Sequence, residues 1–188
     1  MRSRPPPAVL ALVLLAAFVA ACADEDAPLP PIVEGDCKPG VVSAAPEALP
    51  GTHVEIGTVV AYNTEPPSIG PHWGQWVAWG RYDTVVEPEL YVHNLEHGGI
   101  ALLYDCPDGC PALTDSLEGW ARSQPADEGG PFRWVMTPRS GLGTAVAAAA
   151  WGWTWTADCF HGAELDAFRA DHYRRAPEDI GAEGSASP

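Results

Sequence analysis

Residues 63–82 read NTEPPSIGPHWGQWVAWGRY, and nothing in that stretch repeats with the period of a helix or a strand. Its prolines and glycines break any regular hydrogen-bond ladder, so the elements that bury a core must come from the segments on either side. A loop of this length inside a compact domain is usually a functional one. Trp73, Trp76 and Trp79 read as the anchors that pack it onto the body, because each buries a large apolar area.

The flanks supply those elements. HVEIGTVVAY alternates, with Val54, Ile56, Thr58, Val60 and Tyr62 on one face, which predicts a strand that opens the fold. Pro88 starts a short helix through PELYVHNLEH and Gly98 stops it, in keeping with proline near a helix start and glycine just past its end. IALLYD follows as an apolar strand. In CPALTDSLEGWARS the residues Leu113, Leu117, Trp120 and Ala121 share one helix face. FRWVMTP is a second buried strand ended by Pro138. In TAVAAAAWGWTWTA the alanines favour helix, whereas WGWTWT alternates aromatic and small residues and reads as strand. AELDAFRADHYRR closes the domain as a helix with Leu165, Phe168 and His172 on one side. The order after residue 98 is strand, helix, strand, strand, helix. That order specifies an α/β or α+β class, one small domain with a mixed sheet flanked by helices, with a thioredoxin-like arrangement as one option.

The N-terminus sets the expected compartment. Arg2 and Arg4 precede the apolar run AVLALVLLAAFVA, and VAAC places small residues just ahead of Cys22. The run is short for a bilayer span of about 20 residues, and its ending on a cysteine resembles a bacterial lipoprotein signal, residues 1–21, with Cys22 as the acylated first residue. Residues 22–36, acidic and rich in proline, cannot bury enough apolar surface to fold and read as a tether. The globular domain is expected over 37–176, with 177–188 a disordered tail. The expected location is therefore a bacterial cell envelope, the domain exported and anchored to a membrane by lipid. The formal charge of −15 repels nucleic acid and concentrates cations, so nucleic acid is excluded as a partner. If Cys22 carries lipid, Cys37, Cys106, Cys110 and Cys159 remain, an even number that favours two disulfides in an exported domain, with three pairings open.

Four histidines stand out as candidate ligands: His53 at the strand start, His72 in the proline-stiffened loop, and His93 with His97. Residues four apart on a helix are adjacent, so His93 and His97 are placed to hold one metal ion. Glu96 points partly aside and suits a partner that orients a histidine ring or holds a bound water. The prolines and glycine around His72 lower the entropy cost of presenting it at a fixed point.

YNTEPPSIGPHW, GRYD, VHNLEHGGIALLY, VMTPRSGL, AAAWGWTW and LDAFRADHY, in that order over most of residues 53 to 175, resemble the family catalogued as domain of unknown function 3105. The resemblance implies an exported or membrane-tethered bacterial domain with His53, His72, His93, Glu96 and His97 at the family's polar positions, and no activity. The chain departs from the family pattern at DCPDGC and Cys159, so the resemblance gives the cysteines no shared role. Locally, residues 105–113 are similar to the CP-x-x-CP segment of Sco-type copper chaperones, where thiolates near a helix N-terminus bind Cu(I) or exchange disulfides. The competing reading is a structural staple.

The reading that follows is a lipoprotein that binds copper or zinc through His53, His72, His93 and His97, with Glu96 behind them. Methionine-rich copper handling is excluded, since only Met136 remains after cleavage. Three alternatives stand beside it: a thiol-disulfide or Sco-like protein using Cys106 and Cys110, a zinc hydrolase using HNLEH as an inverted zincin signature, and a structural or partner-binding lipoprotein. The hydrolase signature needs a sustained helix and a further carboxylate downstream, whereas Gly98 and Gly99 end this helix at once.

Overall fold

Strand β5, Ile100–Tyr104, is buried along its whole length, and everything else is arranged around it. The computed structural model describes residues 37–188; the segments expected as a signal, 1–21, and as a tether, 22–36 with Cys22, lie outside the described residues. Around β5 stand β1 (Val41–Ala44), β4 (Gly80–Arg81), β6 (Trp134–Pro138), β7 (Val146–Ala150) and β8 (Trp153–Ala157), in the sheet order β1-β8-β7-β5-β6-β4. β4, β6 and β5 run parallel to one another, whereas β7, β8 and β1 are added antiparallel. Two-residue strands β2 (His53–Val54) and β3 (His72–Trp73) form a separate parallel pair. This is an α+β domain with a mixed sheet and three helices.

Alternation along β5 divides the core in two. Ile100, Leu102 and Tyr104 pack with Leu117 and Trp120 of α2 (Pro111–Ser123) and with Leu165 and Phe168 of α3 (Gly162–His172). Ala101 and Leu103 face the other way, onto Leu90, Tyr91 and Leu95 of α1 (Pro88–Glu96). Each fully buried leucine contributes about 1.5–3 kcal/mol, which holds α1 rigidly enough to act as a platform. Its limits follow from sequence: Pro88 occupies the first turn, and Gly98 takes a left-handed φ of 82° just beyond the end.

Three expectations are corrected here. The strand expected through residues 53–62 is only His53–Val54, since the chain turns at Gly57, where φ is 89°, and Ile56 and Val59 are exposed. The strand that opens the fold is instead β1, paired with β8. The alanine run is strand β7, because β5 and β8 satisfy its backbone on both edges and its small side chains fit between two buried faces. Residues 177–188 are not a disordered tail. The Ala186 amide donates to the Trp76 carbonyl at 3.1 Å, the Glu178 amide donates to that of Glu96 at 3.1 Å, and Asp179 pairs with Arg133 and Arg174. Backbone pairing and ion pairs hold this segment where apolar burial does not.

The four cysteines among the described residues lie in two pairs at disulfide distance, Cys37 with Cys159 and Cys106 with Cys110, with Cα separations of 6.1 and 5.7 Å. Chain-entropy arguments assign about 5 kcal/mol to a cross-link spanning on the order of 120 residues and about 2 kcal/mol to one spanning about four. The first therefore staples the domain; the second adds little to global stability.

Candidate metal centre

The site is assembled by three short elements. β2 and β3 pair so that His53 stands opposite His72, with the His72 amide donating to the Thr52 carbonyl at 3.1 Å. α1 packs against β3 and supplies His93 and Glu96 from its last turn. One ligand atom from each of His53, His72, His93 and Glu96 lies within 4.8 Å of every other. A tetrahedral shell with metal–ligand distances of about 2.0–2.1 Å needs donors about 3.4 Å apart, so side-chain adjustments on the order of 1 Å close the set.

Two of the rings are held in a fixed tautomer. His72 Nδ1 lies 2.9 Å from the Gly70 carbonyl, and His93 Nδ1 lies 2.7 Å from that of Trp73. A carbonyl only accepts, so each Nδ1 carries the hydrogen, and in the neutral ring each Nε2 presents a lone pair. Histidines that bind metal are typically oriented this way by their second nitrogen. Burial lowers the His72 pKa and takes that of His93 down to about 4, so both rings are neutral at pH 7. His72 Nε2 then faces Glu96 Oε2 at 3.0 Å without a hydrogen bond. Two acceptors at that distance repel, and only a proton or a metal ion between them relieves it. Burial and the nearby Glu178 raise the Glu96 pKa.

The four histidines come together, though with different roles from those expected. Glu96 joins the donor group directly. His97 is outside it: its ring meets His93 edge-on with centroids 4.6 Å apart, its Nε2 lies 3.5 Å from Glu178 Oε2, and its Nδ1 is buried without a partner. Its pKa also falls to about 4, through burial first and then His93. His97 is not among the donor atoms that converge, and its ring meets that of His93 edge-on rather than facing one ion with it. The pairing that HNLEH needs as an inverted zincin signature is therefore absent. His53 is the exposed member, its side chain 54% accessible, and it opens the group to solvent.

Sequence reasoning missed four neighbours. Trp76 covers His93 and His97, with ring centroids 4.7 and 4.5 Å away; the tryptophans had been read only as packing anchors. Trp151 meets His72 edge-on at 6.1 Å. Gly51 passes so close that an added Cβ would overlap Glu96 Oε1. Glu178 arrives from the C-terminal segment, and no local pattern marks it.

The family described as "Protein of unknown function (DUF3105)" matches residues 53–185. The chain belongs to this family. The DUF3105 match begins at His53 and includes His72, His93, Glu96, His97 and Glu178, so the whole group lies within the family's span. No curated protein and no solved structure matches the chain. Among the described residues, no helix is long and apolar enough to cross a membrane.

Proposed function

We propose that this chain is a cell-envelope lipoprotein, anchored through lipid on Cys22, whose domain binds one zinc or Cu(II) ion through His53, His72, His93 and Glu96. The observation that carries the reading is the meeting of these four donors, with two rings already fixed by backbone carbonyls and His72 Nε2 only 3.0 Å from Glu96 Oε2 at their centre. Imidazole with carboxylate suits zinc and Cu(II), whereas Cu(I) favours thiolate or thioether sulfur, absent from this donor set. His97 and Trp76 pack behind His93 and fix its ring. A bound ion would act there as a Lewis acid, and the accessible His53 side is where an exchangeable ligand would enter. The leader pattern and the acidic tether support the anchored location.

The test is metal content of protein purified from its own envelope without a histidine tag. The reading expects close to one zinc or copper per chain, lost in a His72→Ala/His93→Ala variant that keeps its circular dichroism spectrum. Metal-free protein with no affinity tighter than micromolar for either ion overturns it.

A further inference from the structure

The metal reading leaves one constellation unused, at the opposite end of β5. α1 delivers its histidines beside the start of that strand, whereas Cys106 follows its end. Five residues at about 3.3 Å each put roughly 17 Å between the two places. β5 is also where the sheet changes sense, parallel to β6 on one side and antiparallel to β7 on the other. The chain leaves β5 at its carboxyl end, away from the histidines.

That position is occupied by Cys106-Pro107-Asp108-Gly109-Cys110. The turn is tight, with the Gly109 amide donating to the Cys106 carbonyl at 3.1 Å and Gly109 at a left-handed φ of 82°. Both cysteines are half-buried against the α2–α3 side of the core, next to exposed Pro107, Asp108, Gly109, Pro111 and Ala112. Cys110 is the N-cap of α2, without a side-chain hydrogen bond there, and the positive end of a helix stabilises a thiolate. The pair closes a separation of only 4 residues, against 122 for Cys37–Cys159, so its value as a restraint on the unfolded chain is small.

We propose that Cys106 and Cys110 are a redox-active pair that exchanges disulfides with dithiols of a second polypeptide. A substrate thiolate attacks Cys106 Sγ, the bond between the two cysteines breaks, and Cys110 leaves as the thiolate at the start of α2. The substrate's second thiolate then attacks its own sulfur in the mixed disulfide and releases Cys106. Two electrons pass from the substrate dithiol to the pair, and the two protons end on Cys106 and Cys110. The same steps run backwards against a disulfide-bearing polypeptide and restore the pair.

The experiment uses the full chain and a synthetic peptide carrying two cysteines, in dithiothreitol redox buffers, with alkylation and peptide mass spectrometry. The expected result is that Cys106–Cys110 equilibrates while the native circular dichroism persists and Cys37–Cys159 stays closed. Peptide oxidation should be faster by at least about tenfold than with C106S/C110S. Opening of the pair only when the domain unfolds overturns the proposal. So does a fall in melting temperature for C106S/C110S as large as that for C37S/C159S, or peptide oxidation no faster than with the double variant.

Discussion

Acid should destabilise the metal-free domain well before its carboxylates titrate. His93 and His97 have pKa values lowered from 6.5 to about 4, chiefly by burial. Between those values the unfolded chain binds protons that the folded chain refuses. The stability these rings allow is therefore complete above about pH 6.5 and is lost as pH falls toward 4. At pH 5 each ring contributes a loss of about 2 kcal/mol, so the pair gives about 4 kcal/mol as an upper bound, since denatured chains bury part of their surface and neighbouring rings relax together. His72, also lowered by burial, acts in the same direction, whereas Glu96, raised by burial, opposes it. Asp179 and Glu118, held low by their arginine partners, lose their contributions only at more acid pH. Urea unfolding in chelator at pH 7.5, 6, 5 and 4.5 measures the slope, and His93→Gln should remove about half of it. A stability that is flat from pH 7.5 to 5, or unchanged in slope by His93→Gln, would refute the reasoning.

Other outcomes follow from single contacts. Gly51→Ala puts a methyl where Glu96 Oε1 lies and 3.0 Å from the Trp151 ring, so zinc affinity measured by competition with a chromophoric chelator should fall by at least about tenfold, the value of one misplaced ligand contact. Replacing Cys37 and Cys159 with serine should lower stability by up to about 5 kcal/mol, against about 2 kcal/mol or less for Cys106 and Cys110, read from urea midpoints. Truncation after Pro177 removes the Ala182 carbonyl that accepts from Trp76 and Trp79, along with Glu178 beside His97; metal release in stopped-flow chelation should quicken, and tryptophan emission should shift to the red.

What could be read from sequence, and what could not, divides by range of interaction. α1, α2, α3, β5, β6 and β8 were legible because their apolar spacing and their proline and glycine boundaries are local signals. β7 was not, since alanine favours helix until two neighbouring strands claim its backbone. The 53–62 segment alternates like a strand, yet Gly57 turns it and no partner strand is present beyond Val54. In the site, His72 and His93 were legible from residue type and from the stiffness of the loop. The exchange of roles between Glu96 and His97 was not, because it depends on which donor atoms of α1 meet those brought in by the β2–β3 pair. Glu178 reaches the site from a distant part of the chain, and Gly51, two residues before His53, has no side chain to mark it. The C-terminal segment misled for a related reason: Ile180 is its one bulky apolar residue, but its anchoring is through backbone pairing with Trp76 and through Asp179.

X-ray absorption at the metal edge of the loaded, tag-free domain addresses the central claim most directly. The account predicts a shell of nitrogen and oxygen at about 2.0–2.1 Å, outer-shell scattering from three imidazoles, and loss of one imidazole in His53→Ala. Sulfur scattering at about 2.3 Å, or a shell unchanged when His72 and His93 are both replaced, would contradict it.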